Sequence, residues 1–115
     1  MKIEIICGAS VGQVALTLPG LEAACHKAEA AVLREWGGYT RTHGCGAWRN
    51  ANGAIERESC DIWVVYVSDL EPLDIVQAVA EECRKAYHQQ SVLLTIDGQH
   101  GFITGAKLAR PADYE

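Results

Sequence analysis

The sequence predicts an α+β domain with the order β-α-β-β-α-β, and three observations carry that prediction. Two segments show the period-two pattern of strands, two others show helical spacing of apolar residues, and an Asn-Gly pair lies between two long β-rich runs. In this order two helices cover one face of an antiparallel sheet, which is the split β-α-β arrangement.

The first strand is Met1 to Cys7, where Ile3, Ile5 and Cys7 alternate with Lys2, Glu4 and Ile6. Residues 8–19 carry Gly8, Ser10, Gly12 and Pro19 among small side chains and read as a connecting loop. From Leu21 the set Leu21, Ala24, Cys25, Ala28, Val32 and Trp36 keeps helical spacing, with Thr17 as an N-cap candidate and Gly37-Gly38 as the stop. Tyr39 to Asn50 and Ala54 to Val67 flank Asn52-Gly53, the preferred pair for a two-residue type I′ turn, and predict one long hairpin. Ser68, Asp69, Glu71 and Pro72 supply start signals for a second helix with the stripe Leu73, Val76, Ala80, Cys83 and Tyr87. Ser91 to Ile96 forms a further strand, Asp97-Gly98 a turn, and Phe102-Ile103 a short return. The whole reads as one ferredoxin-like domain over residues 1–106, followed by a loosely held tail, 107–115.

A chain of 115 residues has room for one core, and its 49% hydrophobic and 22% charged content is that of a folded globular domain. The net charge of −5 supplies no basic footprint for nucleic acid or an anionic membrane. Glu4 interrupts the first apolar run, which therefore does not read as a signal peptide, and the uninterrupted run Ile62 to Val67 is far too short to span a bilayer. Five cysteines at spacings that match no CxxC or knuckle fit free thiols in a reducing, cytoplasmic setting.

The third strand is apolar on both faces, with Trp63, Val65 and Val67 on one and Ile62, Val64 and Tyr66 on the other. Because both helices cover the same side of the sheet, the opposite face needs another cover, and a homo-oligomer is expected. The residues expected to bind or form that interface are Trp48, Ile62, Trp63, Val64 and Tyr66, with Gly44 and Gly46 beside them.

Several short motifs resemble a known family. Gly38-Tyr39-Thr40, Gly44-Cys45-Gly46-Ala47-Trp48, Asn52-Gly53 and Glu56-Arg57-Glu58-Ser59 look like its G-x-T, G-x-G-x-W, (D/N)-G and x-E-x-S segments. Gln89-Gln90-Ser91-Val92 and Phe102 resemble its ending. The family is an uncharacterised bacterial and phage domain family of small proteins, and the resemblance spans roughly residues 36–103. It implies a ferredoxin-like fold and no established activity. Some relatives carry export signals, and this N-terminus shows none, so localisation does not carry over. Gln90 stands where relatives often have Glu, which removes a carboxylate from the set available to catalysis.

If Asn52-Gly53 is the turn, Cys45 falls opposite Cys60 and His43 lies two residues along on the same face. An imidazole and two thiolates suit zinc, and a dithiol suits redox exchange; small buried thiols filling the sheet are the alternative. On the same register, Gly44 and Gly46 open a groove bordered by Thr42, Trp48, Trp63 and Asp61, unless a bulge or close helix packing uses those glycines. Arg49 then faces Glu56, and Trp48 faces Arg57, with Glu58 nearby, a solvated ladder on a protruding arm. The loop Gly8 to Gly12 lacks the Lys and the spacing of a phosphate loop, and His88 and His100 read as surface or capping groups.

Two function classes follow. One is an oligomeric binding module that uses the open sheet face and the hairpin arm, taking a protein partner or small ligand, with no nucleic acid, membrane or cofactor. The other is a small enzyme or metal-dependent protein around His43, Cys45 and Cys60, with Asp61 or Glu58 as an accessory acid-base group. Nucleotide-dependent regulation of the PII type rests on fold analogy alone.

Overall fold

Strand β1 (Lys2–Gly8) lies inside a six-stranded antiparallel sheet of order β4-β5-β1-β6-β7-β8, in a computed structural model that describes residues 1–11, 14–49, 51–104 and 107–109. The other strands of that sheet are β4 (Thr40–Arg49), β5 (Ile55–Tyr66), β6 (Val92–Ile96), β7 (Gln99–Thr104) and β8 (Lys107–Ala109). Helices α1 (Leu18–Trp36) and α2 (Leu73–Ala86) pack on one face, as the ferredoxin-like reading requires. The segment between β1 and α1, expected as an irregular loop, also holds two short paired strands, β2 (Ser10–Val11) and β3 (Val14–Ala15), with Val11 directly opposite Val14. Lys107–Ala109, expected as tail, pairs with Phe102–Thr104 as an edge strand.

Each helix begins and ends for a local reason. The Thr17 hydroxyl accepts from the Gly20 N–H at 3.2 Å, with Pro19 in the first turn, so α1 starts three residues earlier than the apolar spacing alone indicates. Gly37, at φ 71°, closes it through an N–H to the Leu33 carbonyl. In α2 the N-cap is Pro72, which has no side-chain cap, whereas Ser68 organises the turn before it by accepting from the Leu70 N–H. Leu73, expected in the buried stripe, is half exposed; Val76, Val79, Ala80, Cys83, Ala86 and Tyr87 make the buried face instead.

The core lies between the helices and the odd-numbered side chains of β1 and β5. Ile3, Ile5 and Cys7 pair across from Val65, Trp63 and Asp61, and all six are buried. On the other face Ile62 and Val64 are half-buried and Tyr66 is 75% exposed, the division of faces expected for this strand.

The hairpin register differs from the expected one by a single residue. Arg49 pairs with Ile55, so the strands end short of a two-residue turn, and an Arg49 Nη1 bond to the Gly53 carbonyl at 2.8 Å ties the connection. A type I′ turn needs positive φ at both central residues, and of Asn52-Gly53 only Gly53 has it, at 81°. Asp97 and Gly98 meet that requirement at 50° and 84°, which makes the β6–β7 connection the two-residue turn. The Asp97 carboxylate also accepts from the Lys2 N–H at 2.7 Å, pinning this turn to β1.

Gly98→Ala therefore lowers stability by about 1 kcal/mol, because the turn conformation is strained for any side chain. Gly46→Ala, whose new methyl meets nothing within 4 Å, stays within about 0.5 kcal/mol of the parent. Equilibrium denaturant unfolding of the two variants checks this; equal midpoints contradict it.

Candidate active site

The one-residue shift rearranges every proposed site on the hairpin, because a strand's side chains alternate between faces. His43 pairs with Asp61, Cys45 with Ser59, and Gly44 with Cys60. Cys45 and Cys60 thus point to opposite faces, and the His43-Cys45-Cys60 cluster is not assembled. Among the described residues no group of three His, Cys, Asp or Glu side chains is placed to hold a metal ion. The five cysteines are free thiols, with Cys45 exposed and Cys60 buried.

The glycine groove changes in the same way. Gly44 and Gly46 share their face with Cys60 and Glu58, not with Trp63 and Asp61. At Gly44 the space is filled: an added methyl carbon would lie 3.2 Å from Ile62 Cδ1 and 3.3 Å from Cys60 Sγ. Trp63 is buried beneath the helices and is not on the open face; the side chain of Trp48 lies outside the described residues. At the arm, Trp48 pairs with Glu56 and Ala47 with Arg57, so the expected Arg49–Glu56 and Trp48–Arg57 pairs do not form.

What the true register assembles is a carboxylate beneath the helices. Asp61 is 2% exposed, between Cys7 of β1 and His43 of the edge strand β4. A carboxylate so placed is tolerated only if its oxygens are hydrogen-bonded. Tyr87, just past α2, donates its hydroxyl to Oδ2 at 2.6 Å, and the Cys25 thiol of α1 approaches the same oxygen at 3.5 Å. The other oxygen, Oδ1, lies 2.6 Å from His43 Nδ1.

The donors sort themselves chemically. Burial, and then the bond to Asp61, pushes the Tyr87 phenol far above its ordinary range, so it stays protonated and donates. Its oxygen in turn accepts from the Trp63 indole N–H at 3.2 Å. Burial raises the Cys25 thiol, which keeps it a neutral S–H neighbour. An ionised carboxylate only accepts, so His43 presents Nδ1–H to it, and in the neutral ring Nε2 is the nitrogen that carries no proton. That imidazole is 71% exposed, on the outer side of a carboxylate with almost no exposure.

Around this pair, Tyr39 packs on Trp63 with ring centroids 4.8 Å apart, and its hydroxyl donates to Glu29 of α1. The Arg41 guanidinium lies over the same indole at 5.6 Å from the ring centre. A shallow cleft lined by Lys27, Ala30, Arg34, Glu82 and Lys85 lies apart from this site, between the helices. Of these residues the sequence reading singled out His43 as a metal ligand and Asp61 as an accessory group, and placed Cys25 and Tyr87 only in helix stripes. The signal that separates them is a charged residue in phase with Trp63 and Val65 on the buried face of β5, and the register adds that His43 lies opposite it.

A family profile described as "Protein of unknown function (DUF3574)" matches residues 29–101, which include β4, β5, α2 and β6 and so carry His43, Asp61 and Tyr87. No curated protein matches the chain. Among solved structures, the fold is similar to a phage SAM lyase in complex with S-methyl-5'-thioadenosine, at TM-score 0.68 and 18% identity over 90% of this chain and 88% of that one. The same is true of a phage SAM lyase in its apo state, at TM-score 0.66 and 19% identity over the same shares. No helix among the described residues is long and apolar enough to cross a membrane.

Proposed function

The chain belongs to the DUF3574 family, and from the site above we propose that it is a small-molecule enzyme in which His43 moves a proton. The observation that supports this reading is the 2.6 Å contact between His43 Nδ1 and the buried Asp61 Oδ1. A buried carboxylate fixes the tautomer and ring orientation of the imidazole and stabilises the imidazolium that forms when Nε2 takes a proton. Tyr87 and Cys25 hold the carboxylate from behind and take no part in the transfer. The similar fold of a phage SAM lyase bound to S-methyl-5'-thioadenosine supports SAM as the first substrate to try.

The test is incubation of the purified protein with SAM, following S-methyl-5'-thioadenosine by chromatography: water adds to the aminobutyrate carbon as its C–S bond breaks, the thioether leaves with the bonding pair, and the proton the water loses goes to His43 Nε2. The parent is expected to turn SAM over, His43→Ala to lose about 100-fold or more in kcat, and Asp61→Asn to lose a comparable factor while staying folded. Turnover unchanged in both variants overturns the role of His43. No turnover by the parent overturns SAM as substrate.

A second reading concerns the open sheet face, where Tyr66 is 75% exposed beside the half-buried Ile62 and Val64. We propose that this face joins a second copy of the chain, because an apolar strip on a sheet face with no helix over it is stabilised by burial. Tyr66→Arg is expected to shift the protein to monomer in analytical ultracentrifugation at micromolar concentration, while a parent that is monomeric contradicts the proposal.

A further inference from the structure

Beside the His43–Asp61 pair lies a cation that the proton transfer does not use. Arg41 shares a face of β4 with His43, two residues away, which along a strand is a separation of about 7 Å. Its side chain is exposed, and its guanidinium is stationed over the Trp63 ring. Trp63 is itself immobilised, buried to 1%, bonded through its N–H to Tyr87 and packed by Tyr39. Among the described residues no carboxylate forms an ion pair with Arg41. The acids of this neighbourhood hold other partners: Glu29 accepts from Tyr39, and Asp61 is bonded to His43 and Tyr87.

Such an arginine has lost part of its conformational freedom to the aromatic platform and keeps its hydrogen-bonding edge for a ligand. A planar guanidinium with a free edge recognises carboxylate or phosphate by two parallel bonds, which a lysine cannot reproduce. We infer that Arg41 is the anion-recognition residue of this site, and that the molecule acted on carries a carboxylate or phosphate besides the atom that exchanges a proton with His43. The inference rests on the reading of His43 as the proton-transfer group and adds the class of substrate to it. Arg41 binds and orients; it neither gives nor takes a proton.

The experiment uses NMR of the intact protein and reads the Trp63 indole N–H and the His43 ring signals. Inorganic phosphate and, separately, acetate are titrated in, with ionic strength held constant by sodium chloride. Saturable shifts in the parent with at least one of the two anions are expected, weakened about tenfold or more in Arg41→Met and only partly restored in Arg41→Lys. His43→Gln is expected to bind the anion as the parent does. Tighter binding of phosphate identifies a phosphate-bearing substrate, and tighter binding of acetate a carboxylate. Shifts that do not saturate with either anion, that are equal in Arg41→Met, or that vanish in His43→Gln overturn the inference. Because no turnover is read, a failure of His43 as proton carrier leaves this result standing, and a failure of anion binding leaves the SAM assay to decide His43 alone.

Discussion

Burying the Asp61 carboxylate under two helices is the constraint around which this end of the molecule is organised. Moving such a group out of water costs several kcal/mol, and the cost is offset only when strong hydrogen bonds meet both oxygens. Those bonds come from three separate elements: Tyr87 after α2, Cys25 on α1 and His43 on β4. The sheet register and the packing of both helices must therefore be right at once for the carboxylate to be satisfied. Tyr87 is central to this, since it donates to Asp61, accepts from Trp63 and is fully buried. Among the described residues no buried side-chain nitrogen or oxygen lacks a partner, so the network closes.

The asymmetry of the sheet turns this structural solution into a candidate site. Asp61 sits on β5, one strand in from the edge, where the helices cover it, whereas His43 sits on β4, the edge strand beyond that cover. Tautomer and orientation are thus set inside the protein, while the free nitrogen faces solvent. Arg41 repeats the pattern two residues away, an exposed side chain whose guanidinium lies over a buried indole. An edge strand that carries charged and polar side chains on the helix side also resists pairing with other chains.

Much of this architecture is legible from residue spacing. The alternation Ile3, Ile5, Cys7, the stop at Gly37-Gly38 and the two faces of Ile62 to Val67 appear in the structure as the periodicity indicates, and they suffice for the ferredoxin-like order. The site was less legible because it depends on hairpin register. Asn52-Gly53 is the stronger turn signal by residue type, yet Arg49 pairs with Ile55 there, which leaves no two-residue turn at Asn52-Gly53, and the two-residue turn lies at Asp97-Gly98. One residue of slip moved Asp61 and Trp63 to the groove face on paper and paired the wrong cysteine with Cys45. Tyr87 and Cys25 sit at ordinary positions in their helix stripes, and spacing cannot tell a packing hydroxyl or thiol from one that holds a carboxylate. The tertiary contact alone makes that distinction.

The central claim is that Asp61 holds His43 with Nδ1 protonated and Nε2 bare. Nitrogen-15 NMR of the imidazole ring, recorded on the parent and on Asp61→Asn above the pH where histidine titrates, reads this directly through the two nitrogen shifts. The account predicts a protonated Nδ1 and an unprotonated Nε2 in the parent, with that preference lost in Asp61→Asn. A parent whose His43 shows the averaged or opposite tautomer of a free surface imidazole contradicts it.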